Sequence, residues 1–188
     1  MITIQNWLQG LVQVSDEELQ VILEISETTG IQANETVLKQ GQVSDKIGLL
    51  LQGSLRTYFT DQQGLEKTVN FAFEGDPIAV IDSFFNRIPS AVSSVSLEPS
   101  LIIWTDYERY TSFVQQFPKY NAVFINAMAN WFAQNKARME YLHQPLAKAR
   151  YEKMCELHPQ ISERVPLKYI ASYLGITQET LSRIRGKR

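Results

Sequence analysis

The residues whose types and spacing could do chemistry lie in the last segment of this chain, Pro166 to Arg188. The pattern predicts two short helices joined by a tight turn, in which Gly175 ends the first helix and Thr177 caps the second. Arginine can donate two hydrogen bonds to guanine, and glutamate can accept one from cytosine N4. A helix carrying Glu179 and Arg183 therefore suits the major groove. The segment predicts a helix-turn-helix that reads DNA.

The predicted helix pair has an apolar face and a polar face. The apolar positions, which we expect to hold both helices to the rest of the domain, are Ile170, Leu174, Ile176, Leu181 and Ile184. The expected base contacts on the polar face are Gln178, Glu179, Ser182 and Arg183, and the expected phosphate contacts are Lys168, Thr180, Arg185 and Lys187. Any helical hairpin on a globular domain shows such an apolar face. Another property must therefore distinguish a DNA-binding helix-turn-helix from a purely structural hairpin.

The net charge of the C-terminal segment is that property. Residues 164–188 hold six lysines and arginines and one acid, a net charge of +5, whereas the whole chain carries −2. The residues before position 164 therefore carry −7. A basic end on an acidic body favours contact with phosphates over a purely structural hairpin.

Composition argues against several other classes of protein. The 188 residues suit one medium domain plus a small one, and 44% of them are hydrophobic, as in ordinary globular proteins. No stretch approaches the roughly 20 apolar residues that span a bilayer, and the first residues lack the basic region of a signal peptide, so we expect no membrane partner. The single cysteine, Cys155, permits no intrachain disulfide, which favours a reducing cytoplasm.

Residues that hold metals and redox groups are scarce. Only His143 and His158 are histidines, they lie on different segments, and one cysteine cannot hold an iron–sulfur cluster. No nucleophile motif, phosphate-binding loop or dinucleotide fingerprint is present. We therefore expect no metal or other cofactor and no enzymatic activity. A jelly-roll enzyme would need several histidines close together in its barrel, and this sequence has none in the predicted strands.

The first hundred residues predict a helical start followed by strands. Residues 3–30 have a helical pattern, with Ser15 and Glu18 as a capping box for a helix to about Thr28. Between Ile31 and Asp106, short apolar runs split by turn residues predict a β-sandwich or a jelly roll, which is a double-stranded β-helix. The predicted strands are Thr36–Leu38, Lys46–Leu51, Ser54–Thr60, Glu66–Phe73, Ile78–Ile81, Ala91–Leu97 and Leu101–Thr105, with a short helix at Asp82–Ile88.

The helical period returns after the strands. Asp106 is predicted to cap a helix to Phe117, Pro118 to open a long helix to about Leu142, and a third helix to cover Leu146–Leu157. Positions spaced by four and three along the long helix predict a coiled-coil seam of a homodimer. The seam residues are Phe124, Met128, Trp131, Asn135 and Arg138. Packing of this helix on the jelly roll is an alternative that can coexist with the seam.

This order of elements resembles the Crp/Fnr family of bacterial transcription regulators over nearly the whole chain. The run Ile170–Ile184 closely resembles the C-terminal signature of that family, Gly48–Arg56 is similar to its strand-turn-strand, and Gly75-Asp76 to the turn before its ligand cassette. The resemblance implies an α+β chain with a cyclic-nucleotide-binding-like jelly roll at 1–117, a dimerisation helix at 118–144 and a helix-turn-helix domain at 145–188. Its implied partners are double-stranded DNA, a second copy of the chain and, as a further candidate, RNA polymerase.

The chain departs from the members of this family that bind cyclic AMP. Those members carry a Gly-Glu pair for the ribose and an Arg-Ser or Arg-Thr pair for the phosphate, but the aligned positions here are Ala79-Val80 and Ser90-Ala91. Because a buried phosphate without a cation is costly, we expect no tight binding of cyclic AMP. The expected effector pocket is lined instead by Phe71, Phe73, Val80, Ile81, Ser90 and Ala91. Such a pocket takes an unknown uncharged effector or has collapsed.

Two further expectations concern the C-terminal domain. The family usually places a β-hairpin wing after the recognition helix, and Gly186-Lys187-Arg188 is too short for one. Either the wing lies before Pro166, with Ser162–Val165 as a candidate stub, or the protein relies on Arg185, Lys187 and Arg188 for phosphate contacts. The alternative function is a ligand-sensing module whose terminal helices contact protein rather than DNA. Salt separates the two functions, because affinity for DNA falls steeply as salt rises.

Overall fold

The computed structural model describes residues 2–186, which form helices and strands joined by turns and loops. The strands are β1 Glu27–Ile31, β2 Thr36–Leu38, β3 Lys46–Gln52, β4 Leu55–Thr60, β5 Glu66–Ala72, β6 Pro77–Ile78, β7 Ser93–Ser96 and β8 Ser100–Asp106. The helices are α1 Ile4–Gln9, α2 Asp16–Glu24, α3 Ile81–Asn86, α4 Tyr107–Gln116, α5 Tyr120–Leu142, α6 Ala147–Leu157, α7 Pro159–Arg164, α8 Leu167–Leu174 and α9 Gln178–Gly186.

The chain groups into two compact units. The first holds the residues up to Thr57 together with Phe71–Ala127, and the second holds Tyr58–Asn70 together with the residues from Met128 onward. The division falls within α5, and it gives the tip of the β4–β5 hairpin to the second unit. Contacts therefore group the elements in two units, whereas the sequence pattern suggested three consecutive segments, 1–117, 118–144 and 145–188.

The jelly roll is built from two four-stranded sheets. Strand order is β1-β8-β3-β6 in one sheet and β2-β7-β4-β5 in the other. In the first sheet β8 pairs antiparallel with both β1 and β3, so that Thr28 lies opposite Ile103 and Gly48 opposite Trp104. The α+β fold class and the jelly roll are confirmed. Each predicted strand overlaps an observed one, although β6 is shorter than expected and Ile81 begins α3.

The helical prediction for residues 3–30 is partly wrong. The capping box is present, since the Ser15 hydroxyl accepts from the Glu18 backbone N–H at 3.2 Å and the Ser15 N–H donates to the Glu18 carboxylate at 2.9 Å. The helix ends at Glu24, and Glu27–Ile31 is an edge strand on β8. Local pattern could not reveal this strand, because its partner lies about seventy residues later and supplies the hydrogen bonds that hold it.

Alternate residues of the central strands face two different apolar clusters. Leu50 of β3 and Ile102 of β8 are fully buried in the cluster that also contains Leu55 and Ala72 from the other sheet. Their neighbours point to the opposite face, where Leu49 and Ile103 pack with α1. The adjoining cluster joins α1, α2, α4 and the start of α5 through buried residues, which are Leu8, Ile22, Phe113, Tyr120 and Val123.

Two glycines are required where strands approach closely. A Cβ on Gly48 would lie 2.5 Å from Cε3 of the Trp104 ring and 2.6 Å from the carbonyl oxygen of Ile103. Gly53 turns the chain between β3 and β4 with φ of +98°, and a Cβ there would lie 2.7 Å from the Cα of Ser100. The strand-turn-strand therefore depends on both residues having no side chain.

Candidate functional site

The turn of the helix-turn-helix forms as its residue types predict. Gly175 ends α8 in the left-handed conformation, with φ of +64°. The Ile176 N–H donates to the Ala171 carbonyl at 3.0 Å, and the Gly175 N–H donates to the Ser172 carbonyl at 3.2 Å. These two bonds satisfy carbonyls that a helix end leaves open, and they reverse the chain within a few residues.

The second helix of the pair begins at a side-chain cap. The Thr177 hydroxyl accepts a hydrogen bond from the Thr180 backbone N–H at 3.2 Å, which confirms the predicted cap. The same hydroxyl donates to Oγ1 of Thr180 at 3.1 Å, and the Thr180 side chain is half-buried. Oγ1 of Thr180, an expected phosphate contact, is therefore an acceptor within the cap.

The underside of the pair is buried. Ile170, Leu174 and Leu181 have no exposed surface, and Ile176 and Ile184 are half-buried. Helix α9 contacts both α6 and α8, so two helices hold it in place. The predicted apolar face is therefore the face that packs, which leaves the polar face outward.

The predicted DNA contacts lie on α9, except Lys168 on α8 and Lys187 beyond α9. Four expected base contacts and three expected phosphate contacts are described, and all except Thr180 are exposed; the six are Lys168, Gln178, Glu179, Ser182, Arg183 and Arg185. Nζ of Lys168 lies 4.6 Å from the centroid of the Tyr169 ring. Lys187, the remaining expected phosphate contact, lies outside the described residues.

Glu179 is held in its charged form on this face. A hydrogen bond from its own backbone N–H, another with the Thr177 side chain and the charge of Arg183 lower the pKa of the Glu179 carboxyl. Arg183 follows Glu179 by one helical turn, so the two side chains belong to one surface. The surface offers a carboxylate acceptor beside a guanidinium donor, which are the groups that distinguish cytosine from guanine in a major groove.

The candidate wing stub does not form a strand. Residues Pro159–Arg164 are helix α7, with Pro159 in the first turn, and the Ser162 hydroxyl donates to the Pro159 carbonyl at 2.8 Å. The prediction that Ser162–Val165 is a stub of a β-hairpin wing is therefore wrong. A proline at the first helical position favours a helix, and this signal in His158-Pro159 was available in the sequence.

Two side chains that the sequence did not single out as a pair join the β4–β5 tip to the helix-turn-helix within the second unit. The Ser172 hydroxyl on α8 accepts from the Thr68 backbone N–H at 2.9 Å and donates to the Glu66 carbonyl at 3.2 Å. Arg138 of α5 donates to the Thr68 carbonyl at 3.3 Å and to the Tyr173 carbonyl at 3.1 Å. Its guanidinium carbon also lies 4.2 Å from the Tyr173 ring centroid. No local signal marks these contacts, which join residues up to 106 positions apart.

The expected seam residues on α5 take different positions. The Phe124 ring packs on Phe85 with centroids 4.9 Å apart, and Arg138 bonds to carbonyls of its own chain, so both turn toward their own unit. Trp131 is exposed, while Met128 and Asn135 are half-buried. The most exposed apolar side chains on this helix are Ile125 at 62%, Phe132 at 68% and Met139 at 61%, spaced seven residues apart.

The residues expected to line an effector pocket lie in the first unit. Phe71, Phe73 and Ser90 are buried, Val80 and Ile81 are half-buried, and Ala91 is exposed. The Ser90 hydroxyl donates to the Val92 carbonyl at 2.7 Å and accepts from the Val92 N–H at 3.1 Å. This hydroxyl is therefore used in its own turn, at a position where the family places a phosphate ligand.

Arg87 is the cation nearest in sequence to the position of the family's phosphate-binding arginine. It has a left-handed φ of +56° at the end of α3, and its guanidinium donates to the Ser44 carbonyl at 3.1 Å. The guanidinium carbon also lies 4.6 Å from the centroid of the Tyr107 ring. The side chain is thus engaged with a carbonyl and an aromatic face of its own domain.

The first unit contains an apolar cavity of about 150 Å³ that the sequence did not predict. It lies between α1, α2, α4, the start of α5 and the face of β3 and β8 that carries Leu49 and Ile103. None of the six expected effector residues lines it. The cavity is assembled from helices and strands that are far apart in the sequence, so no single motif could have indicated it.

Metal-ligand clusters and membrane spans were sought in the same residues. Within residues 2–186, no three histidine, cysteine, aspartate or glutamate side chains lie together as ligands of one metal ion would. Among the described helices, none has the length and apolar character that crossing a membrane requires.

The comparisons with known proteins agree with this geometry. Residues 29–117 match the family model for the cyclic nucleotide-binding domain. The chain is similar to FixK2 from Bradyrhizobium japonicum, at 13% identity and a TM-score of 0.72, over 87% of this chain and 84% of that chain. It is similar to the c-di-GMP-responsive global regulator CLP from Xanthomonas campestris, at 12% identity and a TM-score of 0.71, over 92% of this chain and 91% of that chain.

A third structure has the same arrangement at a lower score. The Catabolite Activator Protein of Thermus thermophilus is 18% identical, with a TM-score of 0.55, over 93% of this chain and 83% of that chain. The comparison with curated proteins gave no match. Residues 29–117 thus match the cyclic nucleotide-binding domain, and the chain shares its fold with FixK2, CLP and the Catabolite Activator Protein.

Proposed function

We propose that this chain is a DNA-binding transcription regulator of the Crp/Fnr type. The observation that carries the proposal is the polar face of α9, where Gln178, Glu179, Ser182 and Arg183 are exposed above a fully buried Leu181. A recognition helix needs this division, because the buried face fixes its orientation while the outward face meets base edges. The net charge of +5 over residues 164–188 supplies attraction to phosphates.

The regulator acts as a homodimer through α5 in this proposal. Ile125, Phe132 and Met139 repeat every seven residues and expose more than half of their surface, as the partner-facing positions of a two-stranded coiled coil require. Met128 and Asn135 alternate with them on the same stripe, at spacings of three and four. In the proposed seam, Ile125, Phe132 and Met139 replace the expected residues, each of which lies one position earlier. The expected residues were Phe124, Trp131 and Arg138. Met128 and Asn135 belong to both versions of the seam.

Dimerisation matters for recognition. Two α9 helices about 34 Å apart would enter successive major grooves of a site with near-palindromic sequence. Each helix alone makes too few contacts for specific binding, so a dimer is needed for a useful ratio of specific to non-specific affinity.

The sensor domain of this regulator does not bind cyclic AMP tightly in our proposal. The family's charged positions are occupied by Ala79-Val80 and Ser90-Ala91. The Ser90 hydroxyl bonds its own turn, and Arg87 is engaged with Ser44 and Tyr107. We expect weak or undetectable heat on calorimetric titration with cyclic AMP at micromolar concentrations. Submicromolar affinity would contradict this part of the proposal.

The experiment that tests DNA binding selects preferred sites from a random double-stranded library with the full chain. The affinity for the selected site is then measured by fluorescence anisotropy between 50 and 200 mM salt. Three of the expected phosphate contacts, Lys168, Arg185 and Lys187, are cationic. Doubled in a dimer, they give a slope of log K against log salt of about −5. An enriched, near-palindromic site with a steep slope supports the proposal. No enriched site and a slope near zero would instead indicate that the terminal helices contact protein.

A further inference from the structure

We propose that the cavity on the helical side of the sandwich binds a small, uncharged apolar molecule. The site differs in place from the expected effector pocket, since none of Phe71, Phe73, Val80, Ile81, Ser90 and Ala91 lines it. The proposal concerns binding by the first compact unit, and it holds or fails independently of the proposed contact with DNA.

The chemistry of the wall defines the class of ligand. Every lining residue is uncharged, and most are aliphatic or aromatic, as Trp7, Leu49 and Phe113 are. An anionic ligand such as a nucleotide would find no cation there, and burying its charge would be costly. The wall therefore selects neutral molecules.

Most polar groups in the wall already make hydrogen bonds within the protein. The hydroxyls of Ser26 and Thr105 bond each other at 2.9 Å, and the Tyr120 hydroxyl lies 3.5 Å from the Glu18 carboxylate that it faces. The Trp7 indole N–H donates to the Gly75 carbonyl at 2.9 Å. A ligand gains little from these groups by hydrogen bonding, so its affinity must come from apolar contact.

The Tyr110 hydroxyl belongs to the same wall. Burial raises the pKa of Tyr110 to about 12, so the phenol stays neutral at physiological pH. Its ring packs edge-on against Phe84 and Phe85, with centroids 5.7 Å and 6.1 Å away. Tyr110 thus adds aromatic surface without adding charge.

The size of the cavity sets the size of the ligand. A volume of about 150 Å³ matches that of an engineered apolar cavity that stays dry and takes benzene or xenon. Such a space is filled by a single aromatic ring or a compact branched hydrocarbon.

The first test uses benzene as the probe and the full chain. We expect a saturable rise in Tm of roughly 2–4 °C with benzene, because a ligand that binds only the folded state shifts the unfolding equilibrium. Sodium benzoate, with nearly the same ring and one negative charge, should give no saturable shift. In the NMR spectrum the Trp7 indole N–H resonance should move with benzene, while the resonance of the exposed Trp131 should not.

A cavity-filling variant locates the site. Ala127→Leu adds three carbon atoms at a lining position on α5 and should abolish the benzene-dependent rise in Tm. Ala122→Leu makes the same change at an exposed position of the same helix and should keep it. If Ala127→Leu does not fold, Val114→Phe fills the cavity from α4. The proposal is overturned if benzene gives no saturable shift, if benzoate binds equally well, or if the filled variants respond like Ala122→Leu.

Discussion

The hydroxyl of Ser172, on the first helix of the helix-turn-helix, accepts a 2.9 Å hydrogen bond from the backbone N–H of Thr68, 104 positions earlier in the chain. The same hydroxyl donates to the Glu66 carbonyl, so one serine serves two backbone groups of the β4–β5 tip. Thr68 is 2% exposed, and a hydrogen bond in so dry a place matters more than one in water. Ser172 therefore links the helix-turn-helix to this hairpin tip.

Replacing Ser172 tests this tie. We expect Ser172→Ala to lower the free energy of unfolding by roughly 1–3 kcal/mol, because the buried Thr68 N–H loses this acceptor. Urea unfolding measures the loss, and hydrogen exchange at the Thr68 amide should speed up. Ser162→Ala is the control, since its hydroxyl bonds only the Pro159 carbonyl of its own helix. Equal effects of the two substitutions would contradict the tie.

The turn between β3 and β4 gives a second prediction. Gly53→Ala should destabilise the chain by roughly 2–5 kcal/mol, since the new Cβ both takes a strained φ of +98° and meets Ser100. Gly64→Ala shares the positive φ, at +79°, but nothing lies within 4 Å of its added Cβ. It should cost only about 1–2 kcal/mol of strain. Denaturant unfolding of both variants measures the gap, and no gap would show that the contact with Ser100 relaxes freely.

The carboxyl of Asp76 gives a prediction about pH. Burial raises the pKa of Asp76, partly offset by a hydrogen bond from the Phe73 N–H, and the charge of Glu74 raises it further. The folded state then keeps this proton to a higher pH than the unfolded state does. The free energy of unfolding contributed by Asp76 therefore falls as pH rises from its ordinary pKa of 3.8 through the raised one.

Asp76→Asn removes this dependence while leaving a carbonyl to accept from Phe73. We expect the variant to gain stability relative to the natural chain as pH rises from about 3.5 to 7. Thermal or urea unfolding across that range measures the difference. Asp45→Asn, at an exposed aspartate of the same sandwich, controls for the loss of one negative charge. The prediction would be refuted if the difference in free energy of unfolding between Asp76→Asn and the natural chain did not change with pH.

The seam of the proposed dimer gives a prediction about assembly. Phe132→Glu places a charge at the centre of the seven-residue stripe and should raise the dimer dissociation constant at least tenfold, because like charges would meet across the seam. Sedimentation equilibrium measures this change. Phe59→Glu, at another exposed phenylalanine, should leave the dimer intact. A monomeric natural chain, or a dimer that Phe132→Glu does not weaken, would rule out this seam.

The two kinds of contact on α9 should separate in DNA binding. Arg183→Ala should reduce discrimination at one base step by about 1–3 kcal/mol, whereas Arg185→Ala should weaken binding to all sequences alike and flatten the salt slope by about one unit. Both side chains are exposed on the same helix, so they form a matched pair. Competition assays with single-base variants of the selected site distinguish the two effects. Equal loss of specificity in both variants would refute the assignment of roles.

The elements with strong local signals could be predicted from the sequence. The Ser15–Glu18 capping box, the left-handed Gly175 and the Thr177 cap all lie where their residue types indicated, because each depends on neighbours within about five positions. The strands of the jelly roll were predicted for the same reason, since alternation and turn residues are local. The edge strand β1 was missed because its hydrogen bonds come from β8.

The candidate sites also differ in how far the sequence alone could predict them. The composition of the α9 surface followed from helical periodicity, which places Leu181 inward and Arg183 outward once the helix is known. The seam on α5 did not follow as reliably, because that helix is apolar on several sides. Which side packs depends on partners such as Phe85, which lies against Phe124 and leaves Ile125 exposed.

By itself, the sequence determined most of the helices and strands and the helix-turn-helix, because these depend on residue type and local spacing. The uncharged residues at Ala79-Val80 and Ser90-Ala91 gained their meaning from the resemblance to the Crp/Fnr family. Only the tertiary structure decided that Ser172 ties the helix-turn-helix to the hairpin tip and that an apolar cavity lies beside Leu49 rather than among the expected effector residues. Both depend on distant segments meeting at distances of a few ångströms, and packing sets those distances.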